Sequence, residues 1–478
     1  MRCKTTNYTK YLMLFDIDKK PASAVAAVDD AGGQLTYGEI VYLRSELSTI
    51  LPERELVFCL CENRVGALAG FLSLYDCKDV CLLLNAHIDK ALLKKLDETY
   101  KPSYYWMPEA IAGASSYDKV YDYKGYVLCK TGKKAPAMHT DLSMLMTTSG
   151  TTGSPKLVRH KYGNIESNAK NVAKVFGWTP EERGIVDLPM QYTMGLNVIN
   201  SHLFAGATVL LIEVNLMSPK YWTFIKEQKG TNFTGVPFSY EILNRLRFWK
   251  MDLPHLTTMA EGGGKLSDTL FKTFADYAVN NSKRFFATFG TTETSARLAF
   301  LPPEQAATHI GSIGHAIPEG KIILVDENDN EITEPDVEGE LRYEGPNVTM
   351  GYGTCVEDLS KGDEFCGVYE TGDLAKKDAD GFFYIVGRKK RFLKLFGLRV
   401  SLDQSEKIIS ENFGGMECAC TGDDNQMLIY ITQKDLKEDV KKLISEKTGL
   451  MTKFFDVKEI EVIPRLESGK INYKKLGK

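Results

Sequence analysis

The sequence has no long uninterrupted apolar segment. Its first twenty residues contain only the short run YLMLF before charged residues resume, and the apolar stretch 67–84 is broken by Asp76, Lys78 and Asp79. A membrane-spanning helix needs about 20 apolar residues, and the hydrophobic part of a signal peptide needs about 7–15. We therefore expect no membrane span and a cytoplasmic protein, with 67–84 forming a helix followed by a buried strand.

An excess of charge of one sign is also missing. The chain has 59 Lys and Arg against 63 Asp and Glu, a net charge of -4, and its hydrophobic fraction of 43% is ordinary for a folded chain. A strongly basic surface for nucleic acid is not indicated by this balance. Small molecules are the expected partners.

The ten cysteines lack the spacing of a metal site or a disulfide framework. The close pairs Cys59/Cys61 and Cys418/Cys420 are each separated by one residue and have no matching His or Cys pair. Buried reduced thiols are the expected state of these cysteines.

The sequence has the alternating strand and helix signals of an α/β protein. Apolar runs such as LVFCLC, VCLLL, ATVLLI and KIILV alternate with segments of helical period. The 478 residues are too many for one ordinary core. The residue composition changes near residue 385, where a basic segment precedes the candidate strands MLIYI and DVKEIEVI. We predict a large N-terminal domain of several α/β subdomains over 1–389 and a small α+β C-terminal domain over 390–478.

The segment MTTSGTTGSPKLVRHKYGN, residues 146–164, combines hydroxyls, glycines and a lysine. Small residues let a backbone approach a ligand, and hydroxyls and a lysine suit phosphate oxygens. A solvated turn is the alternative. The order of Gly153, Ser154, Pro155 and Lys156 does not match a P-loop, whose lysine directly follows a glycine. The residues after the loop are expected to be extended, with a helix starting after Asn164.

Several further segments occur in a fixed order along the chain: LPMQYTMGL, EGGGKL, FGTTE, GELRYEGPNVTMGY, YETGDL, GRKKRFLKLFGLRV and ESGKINYKKL. Together with TTSGTTGSPK, they resemble the successive core motifs of the adenylate-forming (AMP-binding) ligase superfamily, and among its members acyl-CoA synthetases in particular. The resemblance runs from about Leu35 to the C-terminus. In this family a carboxylate attacks the α-phosphate of ATP, pyrophosphate leaves, and a thiol then cleaves the acyl-adenylate.

The resemblance implies an ATP site built from several motifs. The hydroxyl-rich loop would hold the β- and γ-phosphates, Phe289 would stack on adenine where the family often has Tyr, and Asp373 and Arg388 would bind the ribose. The ATP-binding residues that it implies are Thr148, Ser149, Gly150, Thr151, Thr152, Gly153, Lys156, Gly262, Gly263, Gly264, Phe289, Gly290, Thr291, Asp373 and Arg388.

Three residues are implied to be catalytic. Thr292 would contact a phosphate oxygen and Glu293 would hold Mg²⁺, which prefers hard oxygen ligands. Lys470 in ESGKINY matches the lysine that bridges the substrate carboxylate and the phosphate during adenylation. Because it lies in the small domain, that domain should close for adenylation and rotate away for thiolation. Lys390 would be the hinge residue and Gly397 would line the thiol tunnel.

The basic run around the hinge has a second interpretation. Arg391 departs from the acid that many relatives have there, and the run from Arg388 to Lys394 could form a solvated basic face or a nucleic-acid patch. The aromatic and apolar residues between the charges favour the hinge.

The acyl pocket is expected around Tyr192, Thr193, Gly195, Val236 and Pro237. Many acyl-CoA synthetases have His where this chain has Tyr192. Amino-acid adenylating relatives place an aspartate where Thr193 stands, to pair with the substrate ammonium. Burying an unpaired ammonium is costly, so uncharged acyl or aryl acids are favoured over amino acids.

The predicted function is therefore ATP- and Mg²⁺-dependent activation of a carboxylic acid to an acyl-adenylate, followed by thioester formation with coenzyme A. Two alternatives stay open. The acceptor could be the phosphopantetheine of an acyl carrier protein, which presents the same thiol arm. Alternatively, the chain could be a nucleotide-binding regulator without catalysis, for which the unusual Phe289, Tyr192 and Arg391 are the residues to suspect.

Overall fold

The fold was analysed in a computed structural model, which describes residues 14–147, 156–389, 391–395, 398–423, 425–466 and 469–476. Within these ranges the helices are α1 (Tyr37–Ile50), α2 (Val65–Asp76), α3 (Lys90–Tyr100), α4 (Glu109–Ala112), α5 (Asn164–Phe176), α6 (Thr193–Ala205), α7 (Pro219–Glu227), α8 (Pro237–Arg245), α9 (Asp268–Asn280), α10 (Leu402–Asn412) and α11 (Lys437–Thr448). None of these helices combines the length and the apolar character that crossing a bilayer requires.

The strands of the same ranges form sheets of two, three, four, eight and nine strands. They are β1 (Val25–Asp29), β2 (Gln34–Thr36), β3 (Leu56–Cys61), β4 (Val80–Asn85), β5 (Tyr104–Pro108), β6 (Asp118–Tyr123), β7 (Tyr126–Lys130), β8 (Leu142–Thr147), β9 (Leu157–Lys161), β10 (Arg183–Val186), β11 (Thr208–Leu211), β12 (Asn232–Gly235), β13 (Thr258–Glu261), β14 (Arg284–Thr291), β15 (Ala296–Leu301), β16 (His315–Ala316), β17 (Lys321–Val325), β18 (Gly339–Glu344), β19 (Tyr352–Gly353), β20 (Val368–Lys377), β21 (Phe383–Arg388), β22 (Phe392–Leu395), β23 (Leu398–Ser401), β24 (Cys418–Asp423), β25 (Gln426–Ile431) and β26 (Phe455–Glu459).

Two large sheets enclose a shared core. The nine-stranded sheet has the order β16-β15-β14-β13-β12-β10-β11-β1-β2, and the eight-stranded sheet has the order β19-β9-β8-β4-β3-β5-β7-β6. Side chains from both sheets and from α1, α2, α5 and α6 form one buried cluster. Every residue of α2 is buried, as expected for a helix that is apolar on all sides. The helices therefore lie between the two sheets, which confirms the predicted α/β layers.

The local predictions from periodicity are also confirmed. The stretch 67–84 forms most of α2 and then β4, residues 157–161 are extended, and the predicted helix begins at Asn164. The hydroxyl-rich loop connects β8 to β9, so it lies between two strands and does not open a helix.

The C-terminal residues have a core of their own. The three-stranded sheet β24-β25-β26 packs with α10 and α11 around Leu395, Ile409, Ile429 and Val457. This is the small α+β unit that the sequence predicts. A separate four-stranded sheet, β17-β18-β20-β21, precedes it and contributes its last strand to the site described below.

The cysteine prediction is correct at the close pairs and wrong at one position. Cys59, Cys61, Cys418 and Cys420 are buried free thiols. Cys366, in contrast, is disulfide-bonded. Sequence spacing did not indicate this bond.

Candidate active site

The first contact of the site joins the start of α6 to the end of β14. The side-chain oxygens of Thr193 and Thr292 lie 2.9 Å apart. On the same turn of α6, a Cβ atom at Gly195 would lie 2.4 Å from the carbonyl oxygen of Pro189. Gly195 therefore packs α6 against the preceding chain, while the two threonines bring two predicted motifs together.

A second group surrounds Glu293. The hydroxyl of Tyr352 donates to Oε1 of Glu293 at 2.7 Å, and Nζ of Lys156 lies 4.0 Å from the centroid of the Tyr352 ring. Tyr352 reaches this place because β19 pairs with β9, directly after the hydroxyl-rich loop. Tyr352 thus connects the lysine of one motif to the acid of another. The remaining predicted residues of that loop lie outside the described residues: Thr148, Ser149, Gly150, Thr151, Thr152 and Gly153.

The surroundings of Glu293 fit Mg²⁺ better than a metal held by several side chains. In the ranges covered by the structure, no group of three His, Cys, Asp or Glu side chains gathers around a common point. Glu293 is 9% exposed and Tyr352 holds one of its carboxylate oxygens. Mg²⁺ usually takes one or two carboxylates and completes its shell with water and substrate phosphates, which is what a single oriented carboxylate can offer.

Gly262, Gly263 and Gly264 form a side-chain-free surface after β13. A Cβ atom at Gly262 would lie 2.5 Å from Oγ1 of Thr288, and one at Gly263 would lie 2.8 Å from the hydroxyl of Tyr192. Gly263 also has a φ of +78°, which favours glycine. Larger residues would fill the space beside Tyr192.

Phe289 and Gly290 lie on the neighbouring strand. Phe289 is half-buried on β14, and the pairing of β14 with β15 shifts register between Phe289 and Gly290. A Cβ at Gly290 would collide with the carbonyl oxygen of Ala296. After this irregularity the strand ends at Thr291, and Thr292 and Glu293 follow it directly.

Asp373 and Arg388 are cross-strand partners on β20 and β21. Nε of Arg388 lies 3.1 Å from Oδ1 of Asp373. Burial raises the pKa of Asp373 to about 6, and the nearby charges of Arg388 and Lys470 act in the opposite direction. The two residues predicted to bind the ribose therefore form an ion pair with each other.

Lys470 reaches the same place from the C-terminal unit. It follows a tight turn in which Gly469 has a φ of +77°, and a Cβ at Gly469 would lie 3.0 Å from Cγ2 of Val236. Burial lowers the pKa of Lys470, the charge of Arg388 lowers it further, and Asp373 and Glu293 oppose this shift. The far tail of the chain therefore comes within electrostatic range of residues from three other predicted motifs.

The acyl-pocket residues meet next to this turn. Leu188, Met194 and Val236 form a small buried cluster, against which Tyr192 packs. Pro237 begins α8, and its Cγ would lie 3.2 Å from a Cβ at Gly264. The expected pocket walls thus surround the glycine surface.

The cations of the basic segment whose side chains the structure describes, Arg388, Lys389 and Arg391, are each paired with an acid. Arg391 lies 2.6 Å from Oδ1 of Asp403 and 2.8 Å from Oε1 of Glu406, and its guanidinium carbon lies 3.9 Å from the ring centroid of Tyr473. Lys389 pairs with Glu340 at 2.6 Å. The residue that departs most from the family pattern is thus a half-buried, ion-paired part of the small unit. The predicted hinge and tunnel residues, Lys390 and Gly397, lie outside the described residues.

Two contacting residues were missed by sequence reasoning. Tyr352 stands in the quoted motif GPNVTMGY, so the motif was found but its tyrosine was given no role. Arg465 was not noticed at all: it lies 3.4 Å from Glu241, and its guanidinium carbon is 5.0 Å from the ring centroid of Phe238. No local pattern distinguishes this arginine from the lysines of the basic tail.

The family profile described as AMP-binding enzyme matches residues 17–353. The chain belongs to this family. Among curated relatives, a long-chain-fatty-acid–CoA ligase of Salmonella typhimurium is 28% identical over 386 residues, covering 77% of this chain and 65% of the relative. A 2-succinylbenzoate–CoA ligase of Listeria monocytogenes is 27% identical over 379 residues, covering 77% of each chain.

Solved structures show the same fold as this AMP-binding enzyme. The o-succinylbenzoate CoA synthetase of Bacillus subtilis, in complex with an acyl-adenylate intermediate, aligns with a TM-score of 0.78 at 18% identity over 98% of both chains. A benzoate CoA ligase from Burkholderia xenovorans aligns with a TM-score of 0.77 at 18% identity, covering 98% of this chain and 99% of the other. The large N-terminal and small C-terminal parts are thus those of the family.

Proposed function

We propose that the chain is an ATP- and Mg²⁺-dependent ligase that converts a carboxylic acid to its acyl-adenylate and then to a coenzyme A thioester. In the first step a carboxylate oxygen bonds to the α-phosphorus of ATP and pyrophosphate leaves. In the second, the thiol loses its proton, its sulfur bonds to the acyl carbon, and AMP leaves. The names of the curated relatives as CoA ligases support this reaction class.

The observation that carries the proposal is the position of Lys470. A lysine from the C-terminal tail is partly withdrawn from water beside Asp373, Arg388 and Glu293. Negative charge develops on phosphate oxygens during adenylation, and cations placed beforehand stabilise it. Lys470 supplies such a cation between the predicted ribose pair and the predicted metal ligand.

The other residues have matching tasks. Glu293 holds Mg²⁺, oriented by Tyr352, and Thr292 donates to a phosphate oxygen while Thr193 fixes its hydroxyl. Lys156 and the hydroxyl-rich loop bind the outer phosphates. The glycine surface at 262–264 leaves room for adenine, with Phe289 stacking on it.

The two-domain arrangement belongs to the same proposal, with a large domain over 1–389 and a mobile one over 390–478. The contact of Gly469 with Val236 corresponds to the closed, adenylating arrangement. Rotation about Lys390 then removes Lys470 and brings Gly397 to the thiol path.

The test is ATP–pyrophosphate exchange over short, long, aromatic and hydroxylated acids. We expect exchange that requires one class of acid and Mg²⁺, followed by AMP release on adding the thiol acceptor. Parallel reactions with coenzyme A and with a phosphopantetheine-bearing carrier protein identify the acceptor. Nucleotide binding without exchange for any acid would contradict the ligase and favour a silent nucleotide-binding regulator.

A further inference from the structure

A buried arginine lies behind the expected acyl pocket. Arg297 on β15 is 2% exposed. Its Nη1 donates to Oδ1 of Asn197 at 2.8 Å, and its Nη2 donates to Oγ1 of Thr234 at 3.1 Å. The guanidinium carbon lies 4.8 Å from the ring centroid of Phe176. The side chain thus reaches from one strand of the large sheet to α6 and to β12.

These partners connect the guanidinium to two walls of the expected pocket. Asn197 lies one turn along α6 from Thr193, so both are on the same side of the helix. Thr234 stands two residues before Val236, a wall of the pocket. Two walls of the expected pocket, α6 and the segment 234–236, therefore each contain a residue that Arg297 contacts.

The charge of Arg297 has no counterion among the described residues. Its contacts there are an amide, a hydroxyl and an aromatic ring, and Nε has no partner. Burial lowers the pKa of Arg297 to about 10, so it stays charged at neutral pH. A buried cation without an anion is costly, and a guanidinium is the group that best matches a carboxylate.

We propose that the acid substrate is a short dicarboxylic acid whose second carboxylate pairs with Arg297. This inference rests on the proposed ligase function and names its substrate class. The first carboxylate lies near Thr193 and Lys470, where it is activated. The second supplies the negative charge that Arg297 lacks. A long uncharged acyl chain is disfavoured as substrate, because its apolar end would have to lie against the guanidinium.

The first test compares acids of equal carbon number in the exchange assay: succinate with butyrate, glutarate with pentanoate, and adipate with hexanoate. We expect one dicarboxylate to exceed its partner in kcat/KM by about 10²-fold or more, since a site with buried polar groups rejects analogues that leave them unpaired. A preference for the monocarboxylate in every pair would overturn the inference while leaving the ligase function intact. No exchange with any acid would overturn both.

The second test removes the charge by Arg297→Met. We expect a loss of about 10²-fold for the preferred dicarboxylate and unchanged or increased activity with the matching monocarboxylate. The control is Arg284→Met, because Arg284 also stacks beside the α5 face, on Phe286 and Trp178, but hydrogen-bonds to Thr258, away from α6. Equal losses for both acids in Arg297→Met would indicate a structural arginine. If this variant does not fold, the wild-type comparison still decides the inference.

Discussion

Tyr352 donates its hydroxyl proton to the carboxylate of Glu293 across 2.7 Å, although the two residues are far apart in the sequence. The same tyrosine ring lies under the ammonium of Lys156. One side chain therefore holds the predicted metal ligand and touches the predicted phosphate lysine. In the proposed function, Tyr352 would be a positioning residue for the adenylation step.

Replacing Tyr352 with Phe should weaken the use of Mg²⁺. The ring would stay under Lys156, but Glu293 would lose its hydrogen bond, and such supporting contacts are worth about 10–100-fold in metal affinity or activity. We expect the Mg²⁺ concentration for half-maximal exchange to rise within that range. Tyr100→Phe is the matched control, because Tyr100 is buried and donates to the carbonyl oxygen of the adjacent Gly353. An equal change in both variants would contradict the role of Tyr352.

Lys470→Ala should separate the two half-reactions. We expect adenylation to fall by about 10²–10³-fold, the scale for losing one preorganised electrostatic contact, while thioester formation from supplied acyl-adenylate is spared. Exchange measures the first step and thioester release measures the second. Lys475→Ala, at an exposed position in the same tail, should leave both rates unchanged. Equal loss of both steps in Lys470→Ala would contradict the closing and opening of the small domain.

Gly263→Ala should impair nucleotide use more than folding. The added Cβ would lie 2.8 Å from the Tyr192 hydroxyl and 3.0 Å from Cε of Met194, inside the expected pocket. We expect kcat/KM for ATP to fall by about 10-fold or more, since small displacements at a reacting site are costly. Gly381→Ala has the same left-handed strain, with a φ of +89°, but its Cβ would meet nothing within 4 Å. Gly381→Ala should lower Tm slightly and leave kcat/KM for ATP unchanged. An equal loss of kcat/KM in both variants would mean that backbone strain, and not the added Cβ in the pocket, reduces activity.

Arg391→Met should destabilise the C-terminal unit. Glu406 would be left without its guanidinium partner, and burial already raises the pKa of this carboxyl. Breaking such a pair costs about 3 kcal/mol when the remaining charge is buried. Lys389→Met removes a more exposed pair with Glu340 and should cost less than about 1 kcal/mol. Hydrogen exchange of α10 and β24 measures the difference, and similar protection in both variants would contradict the structural role of Arg391.

The sequence predicted the layers of the fold because they depend on local patterns. Apolar runs and helical spacing are set by neighbouring residues, so α5 and β9 were found at the correct places. The roles given to the motif residues stay predictions, although the contact of Thr193 with Thr292 shows that two of the motifs lie side by side.

The contacts that could not be predicted are made by side chains distant in sequence. Arg391 was assigned to a hinge or a basic face, because the run of positive charge is local whereas its partners, Glu406 and Tyr473, are brought to it by folding. Arg297 gave no signal either: a single arginine on a strand is usually exposed, and only the packing of α5 and α6 buries it.

Glu261→Gln should make stability less dependent on pH. The ordinary pKa of this carboxyl is 4.5, and burial raises it to about 8 in the folded chain. Between these values the folded state binds more protons than the unfolded state, so the free energy of unfolding of the wild type falls as pH rises. Glutamine cannot ionise, and its advantage over the wild type should grow by up to about 1.4 kcal/mol per pH unit between pH 5 and 8. Urea unfolding at several pH values measures this, with Glu227→Gln as the control because Glu227 is exposed on α7 and meets water in both states. A difference between Glu261→Gln and the wild type that stays constant over this range would mean that Glu261 ionises at its ordinary pKa, and would contradict its burial as an acid.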